Sequence, residues 1–182
     1  MPWRPTREQI AQAFGKKIPD VIADDLAVLF CGINPGLYSG ATRHHFARPG
    51  NRFWKVLHQA GFTQRLLTPF DEDELLARRI GVTNLVARAT ATAAELDKDE
   101  LRRGARTLAT KVRRRRPAFV AFLGIEAYRH AFERPLARLG EQEPLGGARV
   151  WVLPNPSGLN AHYQVPELVR IFAELARAAG VG

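Results

Sequence analysis

"LAVLFCGINPG", residues 26–36, runs an apolar segment straight into a stop. Leu26 to Cys31 carry no polar side chain, so the segment lacks the alternation of a half-buried strand and reads as one buried on both faces. Gly32-Ile33-Asn34-Pro35-Gly36 then breaks it, because proline has no N–H for a ladder and Asn and Gly accept turn geometry. The following stretch, "LYSGATRHHFARPGNRFW" (37–54), holds His44, His45, Phe46, Arg43 and Arg48 and no carboxylate at all. A loop of glycines, aromatics and cations is an unusual way to leave a buried strand.

The pattern repeats outward from that strand. "VTNLV" (82–86), "AFVAFLG" (118–124) and "RVWVLP" (149–154) read as three further apolar strands, with helical stretches between them. Thr6-x-x-Gln9 has capping-box form, and Asp71-x-x-Glu74 and Asp97-x-x-Glu100 open further helices. Asn51 caps a helix with Phe53, Trp54, Leu57 and Ala60 on one face. Leu101, Ala105, Leu108 and Val112 stripe a long helix that ends in Arg113–Arg116 before Pro117, and Leu168, Ile171, Phe172 and Leu175 mark the last one. Strands alternating with helices predict an α/β fold of three layers, α/β/α, around a central, mostly parallel sheet of four strands. Residues 1–182 are read as a single domain, with 134–148 a surface excursion.

Composition limits the function classes. Of 182 residues 46% are hydrophobic and 25% charged, which are globular proportions. Lys+Arg outnumber Asp+Glu by 27 to 18, and the resulting +9 fits a polyanionic partner. The lone Cys31 supplies neither an internal disulfide nor a thiolate-rich metal site. The opening "MPWRPTREQI" lacks a leader's apolar core, and no apolar run reaches the roughly 18 residues of a membrane span. The expectation is a cytoplasmic, monomeric protein with no cofactor and no metal.

In open parallel sheets the ligand lies beyond the carboxyl ends of the strands. "GINPGLYSG" (32–40) and "PNPSGLN" (154–160) leave two of those ends, and Asn84 lies in a third strand. Ser157 is not a nucleophile elbow, since its frame Asn155-Pro156-Ser157-Gly158-Leu159 lacks the flanking glycines. Gly32-Ile33-Asn34-Pro35-Gly36 matches neither Gly-x-Gly-x-x-Gly nor the P-loop. His44 and His45 are adjacent and without an acidic partner in sequence, a poor metal set.

"GINPG", "HHF", "PGNRFWKVLHQAGF" (49–62), "GVTNLVARAT" (81–90) and "LPNPSGL" (153–159), in that order, resemble the mismatch-specific uracil-DNA and thymine-DNA glycosylases of the uracil-DNA glycosylase superfamily. The resemblance spans about Leu26 to Leu175. It implies DNA repair by base flipping: extrusion of a uracil, with thymine as a second candidate, opposite guanine in duplex DNA, then hydrolysis of its N-glycosidic bond to leave an abasic site. The glycines would bring the backbone close to the flipped nucleotide and the cations would meet phosphates.

By the same resemblance Asn34 positions the attacking water, Phe46 stacks on the base, Asn84 reads it, and Ile33 and Ser39 lie beside base, water and sugar. Ser157, Gly158, Leu159 and Asn160 belong to the loop that enters the DNA stack. "HHF" and "TNLVARAT" lean to the thymine type and "NPSGL" to the bacterial uracil type, so the base preference stays open. Asp71, Asp73, Glu95 and Asp97 are helix caps or solvated charges, or one of them assists the water. Arg113–Arg116 either complement a helix dipole or follow phosphates. The alternative from another class is a non-catalytic α/β module binding DNA or a nucleotide.

Overall fold

The apolar run forms β1 (Val28–Gly32), buried at every position. It pairs in parallel with β2 (Ile80–Asn84) on one side and β3 (Phe119–Leu123) on the other. β4 (Gly140–Leu145) and β5 (Ala148–Leu153) complete the order β2-β1-β3-β5-β4, with β5 parallel to β3 and β4 antiparallel at the edge. The computed structural model describes residues 3–182; Met1 and Pro2, at the head of the segment read as lacking a leader's core, lie outside it.

The sheet therefore has five strands, not four, and part of 134–148 is an edge strand instead of a surface excursion. Gly140-Glu141-Gln142-Glu143-Pro144-Leu145 is exposed or half-buried throughout. It carries the charges and the proline that keep a sheet edge from pairing further. No apolar run announces such a strand. Its partner holds it through paired bonds from Arg149 to Glu141, at 2.7 and 3.0 Å.

The α-helices are α1 (Arg7–Ala11), α2 (Leu37–Thr42), α3 (Phe53–Gln59), α4 (Lys98–Arg115), α5 (Ile125–Ala131) and α6 (Val165–Ala179). One face of the sheet buries α3, α6 and the 3₁₀ segment Pro69–Arg78; the other buries α4 and α5. Phe30 centres the first core, with Phe53 and Phe62 edge-on at 5.5 and 5.2 Å and Phe172 stacked at 6.3 Å. Each such ring contributes about 1.5–3 kcal/mol by leaving water. The second core holds the Leu101, Ala105, Leu108 and Val112 stripe. Among the described residues no helix is long and apolar enough to cross a membrane.

Local signals explain most helix starts. Thr6 and Gln9 form the reciprocal capping box, and Asp97 accepts from the Glu100 amide. Two starts differ. Thr68, not Asp71, caps the Pro69–Arg78 segment, with Asp71 as its capping-box partner, and the segment winds as a 3₁₀ helix. Helix α3 has Arg52 at its N-cap, while Asn51 Oδ1 accepts from the Phe53 amide at 2.9 Å.

Arg116 closes α4 in the left-handed region, immediately ahead of β3's amino end. The Arg113–Arg116 run thus lies at the end of the sheet opposite the strand carboxyl termini. Arg115 pairs with Asp24 and Arg116 with Asp25. These two pairs tie the end of α4 to the segment ahead of β1.

Candidate active site

β1 has β2 on one side and β3 on the other, so the chain switches direction there and a crevice opens beyond the carboxyl ends. It is a cleft of about 380 Å³. Ile33, Asn34, Ser39, Phe46, Asn84, Ser157, Leu159 and Asn160 all line it. Gly158 lies on an adjoining hollow with Arg48 and Gly50. The structure therefore gathers residues spread from 33 to 160 around one opening.

Asn34 is held by one end of its amide. Its Nδ2 donates to the Arg88 carbonyl at 3.0 Å and to the Thr90 hydroxyl at 2.7 Å. The Thr90 hydroxyl gives its own proton to the Thr92 carbonyl at 2.7 Å, so it can only accept from Asn34. A carbonyl is likewise only an acceptor, which assigns nitrogen and oxygen in the amide. Asn34 lines the cleft, and its Oδ1 is left as an acceptor without a partner among the described residues. The Thr90 amide bonds the Pro35 carbonyl and locks the two segments together. Arg88 is itself fixed by a fork of bonds to Glu100, at 2.6 and 3.0 Å.

Thr90 and Arg88 lie in the 81–90 stretch, but residue type alone does not show their part in orienting Asn34. That part depends on β2's exit running beside β1's exit, which is a tertiary relation.

Phe46 occupies the left-handed region at φ 50°, a conformation bulky side chains seldom adopt. Surrounding contacts enforce it. Its ring stacks on Phe53 at 4.0 Å with 25° between the planes. The buried Glu72 carboxylate accepts from the His45 amide and contacts His44 Nδ1, both at 2.8 Å. The loop's acidic partner was thus invisible locally, because it comes from the Pro69–Arg78 segment. Strain held at a cleft wall is a mark of functional sites.

His45 Nε2 lies 2.9 Å from the Pro19 carbonyl, so it carries the proton. Nδ1 then faces Asn84 Nδ2 at 3.4 Å. Burial lowers the His45 pKa below its ordinary value and favours the neutral ring. Asn84 Oδ1 points back to β1: a Cβ on Gly32 would stand 2.6 Å from it and 3.5 Å from the Phe46 ring. Gly32 is therefore needed to seat the two side chains expected to hold a base.

Ser39 is buried, and its Oγ accepts from the Ala47 amide at 3.1 Å. It ties α2 to the Phe46 loop while lining the cleft. Asn160 is engaged within its own loop, giving Nδ2 to the Asn155 carbonyl and accepting from the His162 amide. Gly158 approaches closely inside the protein, where its Cβ would stand 2.7 Å from the Gly50 carbonyl. Leu159 is 71% exposed at the rim.

None of the cleft's described lining residues is an aspartate or glutamate. Asp71 and Glu95 are the capping-box partners of Thr68 and Thr92, and Asp97 caps α4. Cys31 is fully buried, which raises its thiol pKa. The cleft thus offers a water acceptor, an aromatic face, an amide that can read polar edges and a cationic mouth at Arg48.

The sequence matches the model of the Uracil DNA glycosylase superfamily over residues 19–176. A solution NMR structure of a candidate uracil DNA glycosylase from Methanosarcina acetivorans is similar in fold. Its TM-score is 0.59 at 19% identity, covering 89% of this chain and 98% of that one. The match over nearly the whole chain places the protein in the uracil DNA glycosylase superfamily, a class of DNA-repair glycosylases whose partner is DNA.

Proposed function

We propose that the protein removes uracil mispaired with guanine from duplex DNA, taking the base out of the stack and leaving an abasic site. The observation that carries this reading is the Asn34 amide on the cleft wall with Phe46 and Asn84, clamped through Nδ2 so that Oδ1 keeps its acceptor capacity. Oδ1 accepts a hydrogen bond from a water and aligns it on the sugar C1′. A new C1′–O bond forms as the C1′–N1 bond breaks, and the electron pair leaves with the base. The water's proton passes to the released base or to solvent, since an amide oxygen does not take it up.

A missing general base is worth about 10²–10⁴-fold in rate. Fixed dipoles around the departing base anion supply the remaining catalysis, so turnover is slow. Thymine is a second substrate within reach, because one methyl alters pocket preference by only about 1–3 kcal/mol.

Release of free uracil from a labelled U·G duplex tests the reading. Tight DNA binding with no base release would instead favour the non-catalytic module. Binding to an uncleavable duplex should weaken with salt at a log–log slope of about −0.9 per phosphate neutralised.

A further inference from the structure

Arg52 sits where local helix physics would not put it. It is the N-cap of α3, with no side-chain capping bond, and a cation there opposes the helix dipole. A residue that breaks a local rule needs a compensating role elsewhere. Its guanidinium supplies that role.

Nε donates to the Pro156 carbonyl at 3.2 Å, and one terminal nitrogen donates to the Ser157 and Asn160 carbonyls at 2.6 and 3.0 Å. The other terminal nitrogen donates to the Tyr163 carbonyl. The Arg52 amide also donates to the Pro156 carbonyl at 3.2 Å. All four guanidinium acceptors are main-chain carbonyls of one loop. Beside them, Gly158 lies against the Gly50 carbonyl so closely that a Cβ would not fit.

We propose that Arg52 is the positioning residue of the Leu159 loop: it fixes the loop that enters duplex DNA and so determines activity on paired substrates. The proposal rests on the glycosylase reading above. The loop's remaining bonds are short-range turns, such as Asn160 N to the Ser157 carbonyl and Ser157 N to Asn155 Oδ1. These shape the turn but do not anchor it to α3. Converging carbonyls repel unless a donor sits among them, and a planar five-donor fork can reach all four. An apolar tip does wedge work only from a rigid base, because a loop that must be ordered at each encounter loses part of its binding energy.

The test uses the full chain with Arg52→Ala and Arg52→Lys; lysine keeps the charge but lacks the fork. Hydrogen exchange through residues 157–163 should accelerate by about tenfold or more while the central strands stay protected. Single-turnover release from a U·G duplex should fall on the order of 10–100-fold, with release from single-stranded uracil DNA held within about twofold. If Arg52→Ala unfolds, Arg52→Lys carries the same comparison.

Wild-type exchange in both variants would overturn the proposal, and so would equal losses on the two substrates. Faster exchange with an unchanged duplex rate, or unfolding of both variants, would overturn it as well. If the wild-type protein releases no uracil, the glycosylase reading fails, whereas the exchange result still decides whether Arg52 clamps the loop.

Discussion

Asn34 and Thr90, from the exits of β1 and β2, are joined by a 2.7 Å hydrogen bond in which the amide nitrogen donates and the hydroxyl accepts. The direction is forced, because Thr90 spends its proton on the Thr92 carbonyl. Thr90→Val keeps the shape and removes the acceptor. On the glycosylase reading, single-turnover base release should fall by about two- to tenfold with DNA affinity unchanged, since a bond of this kind contributes about 0.5–1.5 kcal/mol. Thr90→Ser should restore the rate. A Thr90→Val enzyme as fast as wild type would remove the hydroxyl from the alignment of Asn34.

Asn34 itself should show the larger effect. Asn34→Ala removes the water acceptor and should lower base release by about 10²-fold or more, with duplex binding spared. Asn34→Asp places a carboxylate where the cleft's described lining has none. It can accept a proton, but it cannot donate to Arg88 and Thr90 as the amide does. The expected outcome is a rate between those of Asn34→Ala and wild type. A rate above wild type would mean that proton acceptance outweighs alignment at this site.

These two residues also mark how far the sequence could be read. Asn34 stood out because it lies two residues past a buried strand, and β1, β3 and β5 were legible as apolar runs bounded by turn residues. By contrast β2, with Thr83 and Asn84 inside it, runs over Ile80–Asn84 and not 82–86. β4 was not legible, because an exposed edge strand carries no apolar signature. Thr90, Glu72 and Arg52 were silent for another reason. Each acts across a tertiary contact, with partners 56, 28 and 111 residues away in the chain. Residue type can show that a chain spends polar groups on a loop, but the pairing partner appears only when the sheet brings strand exits together.

Leu159 should separate duplex from single-stranded substrate. At 71% exposure it packs in no core, so Leu159→Ala should leave the melting temperature essentially unchanged, within the about 0.5 kcal/mol usual for surface changes. Extruding a nucleotide costs a few kcal/mol and leaves a hole that an apolar side chain can fill. Base release from a U·G duplex should therefore fall well below wild type while single-stranded uracil DNA is processed as before. Matching losses on the two substrates would contradict the wedge role.

His45 should give the fold an acid-sensitive limb. Burial is the main cause lowering its pKa from the ordinary 6.5; Glu72 and Asp20 oppose the shift and His44 adds to it. The folded protein thus holds the ring neutral, while the unfolded chain protonates it near pH 6.5. Below that value the unfolded state binds more protons, so stability falls as pH drops towards the folded pKa; above it the contribution is complete. Carboxylates move in a different window. Glu100, lowered by Arg88, and Asp71, lowered by Thr68, start from 4.5 and 3.8 and lose their contribution only below those values. A protonated His45 would also present a donor to Asn84 Nδ2, 3.4 Å away, and turn that amide against its place beside Gly32. His45→Gln, which can still donate to the Pro19 carbonyl but does not titrate, should flatten the decline in melting temperature between about pH 7 and 5. Base release corrected for unfolding should lose its acid limb in the same variant. An identical pH slope in wild type and His45→Gln would assign the limb to another group.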